Sequence, residues 1–69
     1  MRLYLVTHTS DGTPRPTEVI ELDQLPAVGT ALRPPVCERH CFVTRAVPAS
    51  IEATGDIRIA GTVYADLIG

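Results

Sequence analysis

The sequence predicts an all-β fold of five short strands in a single domain. Short runs rich in Val, Ile, Leu, Tyr and Thr are each broken by turn residues, as in DGTPRP at residues 11–16. No segment of about ten residues or more shows clear helical periodicity. The chain has 69 residues, which sets an upper limit of one domain, and a chain of this size buries only about 60% of its surface on folding.

Composition and alternation place the strands in order along the chain. We expect them at residues 2–9, 17–22, 30–35, 41–47 and 57–68. Pro14 and Pro16 separate the first two strands, because proline cannot donate to a strand ladder. Pro34 and Pro35 restrict the third strand to a sheet edge for the same reason.

The connecting segments are read from their turn residues. Residues 23–29 (DQLPAVG) are expected to form a tight loop or helical turn with Leu25 directed inward. Residues 48–56 form the longest irregular stretch, closed by Gly55-Asp56. Whether this stretch is a loop or a short helix, with a helical turn at 51–53, is left open by the pattern.

The last two strands have two distinct faces. In strand 4 the alternation gives one face to Cys41, Val43, Arg45 and Val47. In strand 5 one face carries Ile57, Ile59, Val63, Ala65 and Leu67. Gly61 interrupts this face, which predicts a bulge or a sharp bend where a barrel closes.

The charge balance argues against a protein that binds polyanions. Six arginines, no lysine and eight acidic residues give a net charge of −2. Contacts to several phosphates require clustered Lys and Arg, whereas the arginines are spread along the chain. Lys and Asn, whose codons are A-rich, are both absent, which indicates a GC-rich genome and therefore a bacterial or phage source.

The sequence also predicts no membrane contact. No apolar run approaches the roughly 20 residues that cross a bilayer as a helix. The N-terminal MRLYLVTHT lacks the apolar region of a signal peptide. We therefore expect a cytoplasmic protein with reduced thiols.

Residues 37–41, CERHC, contain both cysteines and one of the two histidines. Cys37, His40 and Cys41 are suitable zinc ligands, but a structural site needs four ligands, and strand geometry directs His40 and Cys41 to opposite faces. A disulfide would require a turn that brings the two Cα atoms to about 4.4–6.8 Å. The sequence favours packing over chemistry, with a buried Cys41, a Cys37 in the loop or near the rim, and a solvated His40.

Catalysis finds no support in the sequence. His8, Ser10 and Asp11 lie in one strand-to-turn segment, whereas the members of a catalytic triad usually come from separate elements. The glycines are isolated and form no phosphate-binding loop. We predict no catalytic residues, no enzyme activity and no cofactor.

Strand 1 is apolar on both faces, with Leu3 and Leu5 on one and Tyr4 and Val6 on the other. Only one face can line the core of so small a barrel. If strands 1 and 5 are neighbours, Tyr64 and Ala60 extend the second face, with charged residues around it. Such a patch is typical of a protein-binding or homodimer surface. The predicted partner-binding residues are Tyr4, Val6, Arg58, Tyr64 and Arg2. Alternatively, residues 48–56 cover this face.

The segment LPAVG at residues 25–29, followed by a short strand, a turn and CFVTRAV, resembles the core of many small SH3-like barrel proteins of bacteria and phages. The resemblance covers roughly residues 17–47. It implies a five-stranded SH3-like barrel with a binding role and no catalytic residues to carry over. The Pro34-Pro35 pair and the CERHC turn depart from the family pattern.

These observations predict a non-enzymatic protein-binding module. One specific form is a phage-encoded inhibitor of a host defence or regulatory protein. The alternative is a small nucleic-acid-binding or zinc-stabilised module that uses residues 37–41. Small barrels bind single strands by stacking bases on exposed aromatics beside basic side chains, but the acidic balance weighs against this.

Overall fold

The computed structural model describes residues 1–49 and 59–68 of the chain. Five strands are formed: β1 (Arg2–His8), β2 (Glu18–Glu21), β3 (Ala31–Leu32), β4 (Cys41–Pro48) and β5 (Ile59–Leu67). They make one sheet, curled into half a barrel, and the described residues contain no helix. The predicted all-β fold is therefore confirmed. Most of the 48–56 segment, for which the sequence leaves both a loop and a short helix open, lies outside the described residues.

The first and last strands meet at the centre of the sheet. The strand order is β2-β1-β5-β4-β3, with β1 and β5 parallel and the other neighbours antiparallel. Two strands, β2 and β3, therefore form the sheet edges. The central pair links residues that are far apart in sequence, which makes the position of β5 a long-range feature of the fold.

The core lies on the inner face of the curled sheet. Alternation in β1 directs Leu3, Leu5 and Thr7 inward, and all three are fully buried or nearly so. The other strands and the turn before β4 complete this cluster with Ile20, Leu32, Cys37, Cys41, Val43, Val63 and Ala65. Leu25 packs against the cluster from the 23–29 loop, as its sequence context predicted.

A bulge in β4 reverses its alternation. Val43 pairs with Ala65 and Arg45 pairs with Tyr64, so Thr44 is the extra residue. Arg45 consequently turns to the outer face instead of following Val43 inward. The expectation that strand 4 alternates without interruption is wrong beyond Val43.

A second irregularity lies at the start of β5, as the glycine there predicted. Arg2 pairs with Ile59 and Leu3 pairs with Gly61, which leaves Ala60 as the extra residue against β1. Gly61 is buried and pairs on its other side with Pro48 of β4. This position therefore joins three strands where the backbones approach closely.

Strand β3 is shorter than predicted. It ends at Leu32, and residues 34–39 form turns and bends. Pro34 and Pro35 explain the early end, because neither has an N–H group to continue the ladder. The predicted edge position of this strand is confirmed.

The turn before β4 contacts the opposite edge of the half-barrel. The backbone N–H of Glu38 donates to Oε1 of Glu18 in β2, with an N···O distance of 2.9 Å. Arg15 Nη2 lies 3.9 Å from Oε1 of Glu38. These contacts bring the two edges of the sheet together at one end.

Candidate functional site

The parallel pairing of β1 with β5 assembles an apolar surface on the outer face. Val6 is the register partner of Tyr64, and Tyr4 is the partner of Thr62. Register partners on neighbouring strands direct their side chains to the same face. Tyr4 is 38% exposed although it lies in the middle of the first strand.

Strand β2 extends this surface toward its edge. Val19 pairs with Tyr4 and is 58% exposed, whereas the next residue, Ile20, is 3% exposed and faces the core. Paired residues in an antiparallel ladder interact directly through their side chains. Val19 and Tyr4 therefore lie side by side on the outer face of the two strands.

Strand β4 adds a cation and an aromatic ring. Because of the bulge at Thr44, the guanidinium Cζ of Arg45 lies 5.8 Å from the ring centroid of Tyr64. Thr44 Oγ1 donates to the backbone oxygen of Tyr64 at 3.2 Å, which holds the bulge against β5. Phe42, paired with Asp66, is 40% exposed at the end of the same face.

We call the five apolar and aromatic residues of this face the outer patch: Tyr4, Val6, Val19, Phe42 and Tyr64. Charged groups of both signs lie around it. Arg2 and Glu21 are register partners at one end, with Nε 4.0 Å from Oε2. Arg45 and Asp66 lie at the other end. An apolar centre with a mixed polar rim is typical of protein-binding surfaces.

Four of the five predicted partner-binding residues share this face: Arg2, Tyr4, Val6 and Tyr64. Arg58 lies outside the described residues, as does most of the 48–56 segment expected to compete for the same surface. Val19, Phe42 and Arg45 were missed as site residues. Alternation in the sequence places Val19 and Phe42 opposite the buried positions, but no sequence signal marks the bulge that moves Arg45.

The cysteines of residues 37–41 belong to the core. Cys41 is fully buried, Cys37 is 5% exposed, and both are free thiols. The thiol of Cys37 donates to the backbone oxygen of Arg39 at 3.1 Å. Burial raises the pKa of Cys37, and burial raises the pKa of Cys41 to about 12. Cys37 therefore lies in the turn before β4, one of its two predicted places, and its side chain is buried there.

The side chain of His40 does not lie in the core with the two thiols. Its side chain is exposed while Cys41 beside it is buried, as the strand geometry predicted. Among residues 1–49 and 59–68, no three or more His, Cys, Asp or Glu side chains are grouped to hold a metal ion. The turn instead stabilises the fold. The backbone oxygen of His40 accepts a hydrogen bond from the N–H of Ile68 at 3.0 Å.

The His8–Asp11 segment is organised as a turn. Oδ1 of Asp11 accepts hydrogen bonds from the Thr9 hydroxyl and from the Thr13 N–H. These bonds, that of the Thr9 hydroxyl first, lower the pKa of Asp11 to about 2. The carboxylate thus stabilises its own loop, as Asx turns do.

Comparison with known proteins gave no relative. No family model matches the sequence, and no significant match was found among curated proteins or solved structures. The resemblance to small SH3-like barrels therefore stays a prediction. Within the part of the chain that the structure describes, no helix is long and apolar enough to span a bilayer.

Proposed function

We propose that the chain is a non-enzymatic module that binds another protein through the outer patch. The observation that carries the proposal is the exposure of Tyr4, Val19 and Phe42 on one continuous face, beside Val6 and Tyr64. Burying apolar surface of this kind contributes about 25 cal/mol per Å² before the costs of association. Tyrosines supply large contact areas with few rotatable bonds.

The charges of the face support a protein partner over a nucleic acid. Arg45 lies over Tyr64 and, among the described residues, contacts no carboxylate within 4.0 Å. A carboxylate of the partner can pair with it at the edge of the patch. Asp66 and Glu21 lie on the same face, and their negative charges would repel a phosphate backbone.

The specific form that we propose is inhibition of a bacterial defence or regulatory protein. A small rigid sheet that covers a partner's surface can block it without chemistry of its own. The inferred bacterial or phage source supports this form, and the partner would be a protein of the cell in which the chain is made.

The proposal is tested by comparing partner capture by matched variants. Tyr4→Ala and Tyr64→Ala are expected to lose a protein that the wild type retains from lysate of the host cell. Val28→Ala is the control, because Val28 is 71% exposed on the loop before β3, outside the outer patch. Thermal melts establish that all three variants remain folded.

Retention of the same protein by both tyrosine variants would remove the outer patch as its binding site. Sedimentation of the purified chain tests a second copy as the occupant, since a dimer lost in both tyrosine variants would assign the patch to self-association. Fluorescence anisotropy with single-stranded oligonucleotides tests the nucleic-acid alternative. Binding that weakens steeply with salt and is lost in Arg39→Ala, within residues 37–41, would favour that alternative.

A further inference from the structure

The strongest unassigned feature is the free edge of β2. Among residues 1–49 and 59–68, this strand, Glu18–Glu21, is the terminal strand of the sheet and pairs on one side only, with β1. An edge strand presents unpaired N–H and C=O groups that can accept another strand. These groups define the shape of a ligand, because only an extended chain can pair with them in sequence.

The ladder with β1 identifies which backbone groups face outward. Met1 and Leu22 exchange hydrogen bonds in both directions. Since bonded and non-bonded pairs alternate along an antiparallel ladder, Leu3↔Ile20 is the next bonded pair. The N–H and C=O groups of Val19 and Glu21 therefore point away from β1, toward the free edge.

Within the part of the chain that the structure describes, this edge is uncovered between its two ends. At one end, Glu18 is bonded to the turn before β4 through the Glu38 N–H. At the other end, Leu22 leads into an open groove of about 550 Å³ that is also lined by Pro26 and Leu32. Val19 is 58% exposed, and the Glu21 side chain is 74% exposed. An added strand can reach this edge without displacing a described element.

The charges of β2 indicate which kind of strand can pair with this edge. Its sequence is Glu-Val-Ile-Glu, and Asp23 lies two residues after Glu21. Arg2 and the N-terminal amine lie 4.0 and 3.7 Å from the Glu21 carboxylate, which nevertheless stays exposed to a further cation. In antiparallel pairing with a second copy centred on Glu21, the two Glu21 side chains would lie directly opposite each other, and like charges across a ladder are destabilising. A strand with Lys or Arg opposite these positions gains the reverse effect, and apolar residues between them match Val19 and Ile20.

We propose that the β2 edge binds an extended, cationic segment of another protein by strand addition. Backbone pairing is made with Val19 and Glu21, a basic residue lies opposite Glu21, and an apolar residue lies opposite Val19. Strand addition obtains affinity from main-chain hydrogen bonds and specificity from alternate side chains. This site uses the backbone of Val19, whereas the outer patch uses its side chain, so the two proposed sites adjoin at this residue.

The test uses a blocked peptide, Thr-Lys-Val-Ile-Lys-Thr, whose central part is the charge-reversed copy of β2. Titration into isotope-labelled protein is expected to shift the amide signals of Val19 and Glu21 and to slow their hydrogen exchange. In the free protein these two amides are expected to exchange faster than that of Ile20. Because the peptide is short, we expect a dissociation constant on the order of 1 mM.

Four controls separate the contribution of charge from that of backbone pairing. The peptide Thr-Glu-Val-Ile-Glu-Thr is expected to bind roughly tenfold more weakly or not at all. The lysine peptide with N-methyl groups on its pairing amides keeps its charges and is expected not to bind. Glu21→Lys is expected to weaken the lysine peptide, whereas Tyr64→Ala, on the outer patch, is expected to leave it unchanged.

Equal binding of the glutamate peptide or of the N-methylated peptide would overturn the proposal. It is equally overturned if the lysine peptide fails to bind at several millimolar, or if its shifts fall outside β2. Since Tyr64→Ala tests the outer patch and Glu21→Lys tests the edge, the failure of one proposal is distinguishable from the failure of the other.

Discussion

Gly61 lies against the backbone of Val47, so that a Cβ atom at residue 61 would stand 2.5 Å from the Val47 carbonyl oxygen. The same Cβ would stand 3.2 Å from Cα of Pro48 and 3.3 Å from Cδ2 of Leu25. Two of these neighbours are backbone atoms, which cannot move without disturbing the β4–β5 ladder. The absence of a side chain at Gly61 thus allows β5 to pass close to β4 while it remains paired with β1.

We expect Gly61→Ala to lower the free energy of unfolding by roughly 1–3 kcal/mol, as for other overpacked sites. Gly12→Ala is the matched control, because a Cβ atom at residue 12 would meet no other atom within 4 Å, although φ there is 86°. Its cost is conformational only, about 1 kcal/mol. Urea denaturation of both variants compares the two losses, and a smaller loss for Gly61→Ala than for Gly12→Ala would contradict the close approach.

Asp11 is expected to make stability depend on pH in the acid range. Hydrogen bonds from Thr9 and Thr13 lower its pKa from 3.8 to about 2. Because the folded-state pKa is the lower one, this stabilisation is present above about pH 4 and is lost as the pH falls toward 2. Guanidinium denaturation across this range should show that the free energy of unfolding falls more steeply with decreasing pH for the wild type than for Asp11→Asn. The asparagine side chain does not titrate. Parallel curves would show that the Asp11 bonds do not persist in solution.

The two thiols are expected to resist modification in the folded protein. A thiol with a pKa of about 12, as burial gives Cys41, is ionised to only about one part in ten thousand near pH 8. A maleimide should therefore label Cys41 only after unfolding. Cys37 should be modified before Cys41. Peptide mapping by mass spectrometry distinguishes the two sites, and labelling in guanidinium is the positive control. Rapid labelling of both thiols at native conditions would contradict their burial.

Local pattern was sufficient to predict most of the strands. Alternation in residues 2–9 identified Leu3 and Leu5 as core residues, and the proline pair before Val36 placed β3 at an edge. The parallel pairing of β1 with β5 could not be predicted in the same way. It depends on packing between residues more than fifty positions apart, and strand composition does not specify which neighbour a strand selects.

The same distinction applies to the candidate site. Tyr4 and Val6 were predicted because a strand with two apolar faces leaves one of them outside a small core. Arg45 was assigned to the wrong face, since a bulge adds one residue and reverses every later position. Nothing in the local sequence around Thr44 indicates that it is a bulge residue. Its place follows from the hydrogen bond to the Tyr64 backbone, which exists only once β4 and β5 have paired.

The contact between Glu18 and the Glu38 N–H yields a prediction about closure of the half-barrel. We expect Glu18→Ala to lower the free energy of unfolding by about 1 kcal/mol, because it leaves the Glu38 N–H without its acceptor. Glu18→Gln keeps an oxygen at the same position, so its free energy of unfolding should fall much less. Arg15→Ala is expected to have little effect, since its ion pair with Glu38 at 3.9 Å involves an exposed carboxylate.

Urea denaturation measures the three variants, and hydrogen exchange at the Glu38 amide locates the change. Faster exchange in Glu18→Ala, with wild-type exchange in Glu18→Gln, would attribute the loss to this hydrogen bond. If Glu18→Gln lost as much stability as Glu18→Ala, the carboxylate charge would be responsible instead. The loss would then come from the negative charge of Glu18 and not from its hydrogen bond with the Glu38 N–H.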